Sequence, residues 1–82
     1  MQSTKISLTV DARDLTCPMP LLKAKQGLNN VAERELICVL ATDVNSTKDI
    51  ANFVSLTRHE LVEQTESDGV FKFLIRKGCS DK

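Results

Sequence analysis

The stretch from His59 to Lys77, HELVEQTESDGVFKFLIRK, determines the arrangement of the second half of the chain. Two segments, His59–Glu66 and Val70–Lys77, flank the pair Asp68-Gly69, and an Asp-Gly pair between two such segments is a strong signal for a β-hairpin. We therefore expect the third and fourth strands of a sheet here. The fourth segment is apolar on both faces, which favours a central position. Three glutamates in the third segment are typical of a sheet edge: Glu60, Glu63 and Glu66.

A strand and a helix are predicted at the start of the chain. Lys5–Asp11 alternates polar and apolar residues, which is typical of a half-buried strand. Three apolar side chains are expected on its inner face: Ile6, Leu8 and Val10. Pro18 and Pro20 fit only the first turn of a helix, and the apolar spacing that follows predicts a helix from Pro18 to Asn30.

A second strand and a second helix follow. Glu35–Ala41 is apolar on both faces, the pattern of a strand that lies centrally or is covered on both sides. Ser46-Thr47-Lys48-Asp49 matches a capping box in which aspartate replaces the usual glutamate, so a second helix is predicted to begin there. The predicted order of elements is therefore βαβαββ.

This order predicts a two-layer α/β sandwich. Crossover helices make strands one, two and three parallel, and the hairpin makes strand four antiparallel to strand three. With the apolar fourth strand between strands two and three, the four-stranded mixed sheet has the order 1-2-4-3. Right-handed crossovers then place both helices on one face of the sheet.

The composition predicts one small globular domain, residues 1–82, with an ordered core over roughly residues 4–78. The chain has 82 residues, with 11 basic and 11 acidic side chains. It has no basic stretch, no Trp and no Tyr, which disfavours direct binding of nucleic acid. The longest apolar run, Leu36–Ala41, is too short to span a membrane, and no secretory signal precedes it. We expect a cytoplasmic protein that does not contact membranes.

The three cysteines, Cys17, Cys38 and Cys79, predict free thiols rather than a disulfide framework, because their number is odd. Cys38 lies within an apolar strand and is expected in the core, whereas Cys79 lies in a polar tail. Together with His59 they have the composition of a zinc site. However, no pair of cysteines has the spacing of a metal knuckle, so we expect no metal site.

Cys17 is the candidate nucleophile. It directly precedes the predicted helix, whose positive N-terminal end favours the thiolate. The prolines that follow remove two backbone donors, so only a modest lowering of the thiol pKa is expected. From spacing alone two interpretations remain: a reactive thiol, or a small buried residue at a helix start.

The segment Cys17-Pro18-Met19-Pro20, with Asp11 six residues before the cysteine, resembles the Cys-Pro-x-Pro signature of the TusA family of sulfur carrier proteins. The resemblance covers nearly the whole chain. It continues through Ala41–Asp43, Ser46–Ile50, His59–Val62 and Leu74–Gly78. Two positions depart from the pattern: Asp14 stands where many members have Gly, and Val44 where many have Pro.

The resemblance implies that Cys17 accepts sulfur as a persulfide from a cysteine desulfurase and relays it to an acceptor protein. The best-known destination in the family is 2-thiouridine in tRNA. Molybdenum-cofactor synthesis and sulfur oxidation are alternative destinations. A non-catalytic regulatory or interaction module of the same fold is a further alternative. No cofactor is implied, and no catalytic machinery besides the thiol is recognisable.

Three charged residues are candidates for contact with a partner. Asp43 follows the second strand and is expected beside Cys17, because the carboxyl ends of adjacent parallel strands meet at one edge of a sheet. The alternative is that Asp43 only ends the strand and starts a turn. Lys23 and Lys25 lie on the first helix and are either solvated or docking residues. His59 opens the third strand at the far end and is expected to face solvent.

Overall fold

The computed structural model describes residues 5–16 and 18–78. Their elements are β1 Ile6–Ala12, α1 Met19–Asn29, β2 Leu36–Ala41, α2 Ser46–Ser55, β3 Glu60–Ser67 and β4 Val70–Arg76. The four strands form one sheet in the order β1-β2-β4-β3. β1 is parallel to β2, and β4 is antiparallel to both β2 and β3, so β3 runs in the same direction as β1 and β2. The predicted fold, topology and strand order are confirmed.

The core lies between the helices and the inner face of the sheet. Phe73 and Ile75 of β4 and Ile37 and Val39 of β2 are fully buried there, and Leu28 and Ile50 pack on them from the two helices. Because successive side chains of a strand point to opposite faces, each strand alternates inner and outer residues. The loops that follow β1 and β2 start from the end of this packed sheet.

β2 is buried on both faces, as its apolar pattern predicted. Leu36 and Cys38 point away from the helices, yet only 4% and 5% of their surfaces are exposed. Side chains of the neighbouring strands cover them, because β2 lies between β1 and β4. Burial raises the pKa of the Cys38 thiol. Cys38 is thus a core residue, as expected, and is held in its neutral form.

The first strand departs from its predicted pattern at Ile6. Ile6 pairs with Leu36 and Leu8 pairs with Ile37, so β1 has one extra residue at Ser7. This bulge turns Ile6 to the face that carries Leu36, away from the helices, and 40% of its surface is exposed. The prediction that Ile6 shares the inner face with Leu8 and Val10 was therefore wrong.

The capping box predicted for the second helix is also absent. Asn45, not Ser46, is the residue at the N-cap, and no side chain caps the helix. Ser46 is instead the first helical residue and is almost completely buried. The carbonyl of Asp43 accepts the Ser46 N–H at 3.0 Å, so a backbone turn leads into α2. Asp49 still lies in the first turn, where a negative charge favours a helix.

The hairpin between β3 and β4 is confirmed. Ser67 pairs with Val70, which leaves Asp68 and Gly69 as a two-residue loop. Both residues have a positive φ, 52° and 82° respectively. This is the geometry of the tight turn that matches the twist of the flanking strands, and it requires Gly or Asn and Asp types.

Candidate functional site

The candidate site lies at the end of the sheet where β1 and β2 finish. Ala12 and Ala41 are direct partners at the last positions of these parallel strands. Just beyond them, the backbone N–H of Asp14 donates to Oγ1 of Thr42 at 2.8 Å. The loop that leads to the Cys-Pro-x-Pro segment is therefore fastened to the loop that leads to α2. Thr42 was not expected to have this role.

Asp14 has a left-handed backbone conformation, with φ of 67°. The turn also includes a hydrogen bond from the Leu15 N–H to the Ala12 carbonyl, at 3.3 Å. Glycine adopts positive φ without strain, and aspartate tolerates it better than most residues. The departure from glycine at this position therefore leaves the turn intact and adds a carboxylate to the loop before Cys17.

Asp11 and Arg13 form an ion pair at the entry to this loop. Nε of Arg13 donates to Oδ1 of Asp11 at 2.8 Å, and Nη2 donates to Oδ2 at 2.9 Å. The backbone N–H of Arg13 also donates to Oδ1, at 3.1 Å. The hydrogen bonds from Arg13 lower the pKa of Asp11 from 3.8 to about 2. The pair is exposed, so it orders the loop rather than stabilising the core.

Cys17, the predicted nucleophile, lies outside the described residues, but both of its neighbours are described. The Met19 N–H donates to the Thr16 carbonyl at 2.8 Å, which closes a turn around this position. Pro18 is at the N-cap of α1 and Pro20 is in its first turn. Three of the four residues from Pro18 to Leu21 thus have no amide to offer a sulfur atom: two are prolines, and the Met19 N–H is already bonded.

Exposed apolar side chains surround this end of the molecule. Met19 and Leu22 lie on the first two turns of α1, with 39% and 42% of their surfaces exposed. Val44 projects from the loop before α2 and is 64% exposed. Exposed apolar residues that stand singly are common on protein surfaces, so these residue types alone do not indicate a contact surface in the sequence.

Asp43 lies at this end of the sheet, in the loop fastened by Thr42. Its Oδ1 accepts the backbone N–H of Asn45 at 3.2 Å, so the turn-forming role considered for Asp43 is observed. Lys23 is half-buried on α1. Lys25 is exposed, and its Nζ lies 5.3 Å from the centre of the Phe53 ring on α2. Lys25 therefore contributes a contact between the two helices that its position in the sequence did not indicate.

His59 lies at the opposite end of the sheet. It precedes Glu60, which pairs with Arg76, and Arg76 pairs with Leu36 at the start of β2. Along β2, Leu36 and Ala41 are about 17 Å apart at roughly 3.3 Å per residue. The prediction that His59 faces solvent was wrong in part: the ring is half-buried and contacts the Phe53 ring, with 5.7 Å between their centres.

The described residues contain no cavity and no group of three side chains arranged to bind a metal ion. No helix among them is long and apolar enough to cross a membrane.

Comparison with known proteins identifies this arrangement. Residues 8–77 match the family model described as sulfurtransferase TusA. The chain is 44% identical over 68 residues to the sulfur carrier protein TusA of Allochromatium vinosum, covering 83% of this chain and 90% of that protein. It is also 44% identical over 73 residues to a putative sulfur carrier protein of Halobacterium salinarum, covering 88% and 90%.

A solved structure has the same fold. The crystal structure of a SirA-like protein from Desulfitobacterium hafniense superposes with a TM-score of 0.76 and is 27% identical in sequence. The match covers 87% of this chain and 97% of that one. The family match over residues 8–77, the curated relatives and the shared fold agree, and the chain belongs to the TusA family of sulfur carrier proteins.

Proposed function

We propose that Cys17 carries the sulfur as a persulfide and that a cysteine desulfurase supplies it. The observation that carries the proposal is the position of the Cys17-Pro18-Met19-Pro20 segment at the start of α1. There, exposed Thr16 and Pro18 flank the cysteine at one end of the sheet. A thiol at a helix start next to exposed backbone can enter the active site of another protein.

The transfer needs no oxidant. The Cys17 thiolate attacks the outer sulfur of the desulfurase persulfide, and the bond between the two sulfurs of the donor breaks. The electron pair of that bond leaves with the donor thiolate, while Cys17 gains the outer sulfur and becomes a persulfide. In the second transfer, a thiolate of the acceptor attacks the outer sulfur on Cys17 and regenerates the free thiol.

The prolines of the segment favour release of the carried sulfur over its retention on Cys17. A thiolate that accepts many backbone hydrogen bonds is stable but is a weak nucleophile, because nucleophilicity falls as the thiol pKa falls. Pro18 and Pro20 supply no donors, and Met19 uses its own N–H on Thr16. The sulfur at this position therefore depends on the partner for further stabilisation, which suits a carrier that must release its cargo.

The partner docks on the surface around this segment. Its apolar part consists of Met19, Leu22 and Val44, and its charged part is formed by Asp43 and Lys23. Lys25 is further from the helix start and is shared with Phe53. Charges of both signs around an apolar centre orient a partner and reject unsuitable surfaces. Lys23→Glu tests this surface best, and Lys25→Glu needs a parallel stability measurement because of the Phe53 contact.

Mass spectrometry tests the sulfur-carrying role. The protein is incubated with a cysteine desulfurase and cysteine, and added sulfur is located by peptide mapping without reducing agent. Cys17→Ser should abolish the added sulfur, whereas the matched control Cys79→Ser should keep it. Equal loading of wild type and Cys17→Ser would refute the assignment. A protein that gains no sulfur at any cysteine would favour the interaction module of the same fold.

The acceptor most consistent with the family resemblance belongs to the pathway of tRNA 2-thiouridine synthesis. Expression of this chain in a bacterium that lacks its own TusA protein should restore 2-thiouridine, measured by mass spectrometry of digested tRNA. Cys17→Ser should not restore it. Molybdoenzyme activity measured in the same cells distinguishes molybdenum-cofactor synthesis, the alternative destination: recovery of that activity alone would contradict a tRNA role.

A further inference from the structure

Two parts of the chain that the sulfur-carrying role does not use meet at the end of the sheet away from Cys17. They are the residues around His59, which lead into β3, and the residues that follow β4. Nη1 of Arg76 donates to Oε1 of Glu60 at 3.0 Å across the paired strands. Immediately beyond this ion pair, the backbone N–H of Gly78 donates to Nδ1 of His59 at 3.0 Å.

The second hydrogen bond requires a neutral imidazole. Nδ1 can accept only through its lone pair, so the ring proton must be on Nε2. The ring is half-buried against Phe53, and this burial lowers the pKa of His59 below its usual value of 6.5, with a smaller effect from the charge of Lys77. At neutral pH the acceptor is therefore available to Gly78.

Gly78 lies so close to the backbone of Arg58 that only glycine fits at this position. A Cβ atom at this position would overlap the carbonyl group of Arg58. Lys77, the preceding residue, is held in a different way. Its N–H donates to the Glu35 carbonyl at 2.9 Å, and its own carbonyl accepts the Arg34 N–H at 2.8 Å. Two backbone hydrogen bonds thus join Lys77 to the loop before β2, whereas Gly78 is hydrogen-bonded to His59.

We propose that His59 is a proton-sensitive latch for Gly78, in which the neutral ring holds the Gly78 backbone and the protonated ring releases it. An imidazolium carries a proton on both nitrogens, so Nδ1–H would face the Gly78 N–H as donor against donor. The hydrogen bond is lost, and the Gly78 N–H is no longer held at the start of β3.

The charged groups around the ring favour release once the proton is bound. Lys77 follows β4, Arg58 precedes the ring in the chain, and Lys25 of α1 lies over the Phe53 ring that His59 contacts. The carboxylate of Glu60, the next residue in the chain, forms an ion pair with Arg76. The side chain of Glu35 accepts the Ala32 N–H at 2.7 Å. An imidazolium here is therefore close to the charge of Lys77, and the carboxylates of Glu60 and Glu35 already have partners.

The latch lies at the opposite end of the sheet from Cys17, so the proposal does not rest on the sulfur-carrying role. Lys77 keeps both backbone hydrogen bonds when His59 is protonated, so the change is limited to the hydrogen bond of Gly78. His59 thus has the task of anchoring Gly78, which leaves Cys17 without help from this histidine.

Amide hydrogen exchange followed by NMR between pH 7.5 and 5 tests the latch in the full chain, alongside the titration of the His59 ring. Gly78 should lose its protection with the same midpoint as the ring, below pH 6.5. Lys77, the internal control, should stay protected through the transition. Gly78 protection that does not change while the ring titrates would overturn the proposal.

Two substitutions separate the hydrogen bond from the shape of the ring. His59→Asn places a non-titrating oxygen near the position of Nδ1, so Gly78 should stay protected over the whole pH range. His59→Phe keeps a ring against Phe53 but has no acceptor, so Gly78 should be unprotected throughout. An acid transition that persists in His59→Asn contradicts the proposal. If His59→Phe fails to fold, the wild-type and His59→Asn measurements still decide.

Discussion

Asp14 gives the loop before Cys17 a left-handed turn. With φ of 67°, the residue has a conformation that glycine adopts freely and that β-branched residues avoid. Asp14→Gly should therefore leave the free energy of unfolding within about 0.5 kcal/mol of wild type. Asp14→Val should lower it by about 1–2 kcal/mol, the approximate cost of a left-handed residue. Urea unfolding measures both, and equal stability of the two variants would show that the turn is not strained.

Pro18 and Pro20 lack the backbone N–H groups that could otherwise donate to the Cys17 sulfur. Pro18 is exposed, so Pro18→Ala should keep the fold while restoring one N–H beside the sulfur. The thiol pKa of Cys17 should fall, because an additional donor stabilises the thiolate. Met19→Ala is the matched control: it shortens an exposed side chain and adds no donor. Alkylation rates measured against pH report the pKa. An unchanged value in Pro18→Ala would remove the donor argument, though not the carrier function.

Helix α1 depends on a glycine where it crosses β1. Gly27 is buried, and a Cβ atom there would lie 2.7 Å from Cγ2 of Val10. Gly27→Ala gains about 1 kcal/mol of helix propensity but forces a stiff β-branched side chain to move in a packed core, which costs about 1–3 kcal/mol. A net loss of stability is expected. Combining it with Val10→Ala should reduce that loss, and a stabilised Gly27→Ala in urea unfolding would contradict this close packing.

The free energy of unfolding should fall in two ranges of pH, and the lower one should be small because the Asp11–Arg13 pair is exposed. His59 and Asp11 both have a lowered pKa in the folded state, so the unfolded chain binds the proton more tightly in each case. The contribution of each group to stability is complete above its pKa in the unfolded chain, near 6.5 for His59 and 3.8 for Asp11. The contribution of His59 is lost as the pH falls below 6.5, and that of Asp11 is lost as the pH falls from 3.8 to about 2. Urea unfolding against pH measures this. His59→Asn should remove the upper step only, and loss of both steps would refute the assignment.

The topology also excludes help between the two ends of the molecule. The segment that contains Cys17 follows β1, whereas His59 and Gly78 lie at the opposite end of the sheet. A disulfide needs Cα atoms within about 7 Å, so Cys17 and Cys79 should not pair within one folded chain. Peptide mapping of the oxidised protein tests this. An intramolecular Cys17 to Cys79 bridge in native protein would overturn the placement of the chain ends.

The sequence alone determined the elements, their order and the candidate nucleophile. Alternating residues, proline positions and the Asp68-Gly69 pair are local signals, and each can be recognised within a few consecutive residues. The apolar character of β4 and the glutamates of β3 were enough to predict the order 1-2-4-3. The signature around Cys17 was likewise local, because it depends on four consecutive residues.

Only the tertiary structure decided which distant groups meet. The bulge that turns Ile6 outward arises from pairing with β2, and the start of α2 at Ser46 follows from a turn at Asp43 rather than from a capping box. The predicted hairpin already places His59 and Gly78 at the same end of the sheet, but the hydrogen bond between them depends on the ring lying half-buried against Phe53 of α2. Such contacts depend on strand register and on burial, and neither is a property of any single segment of the chain.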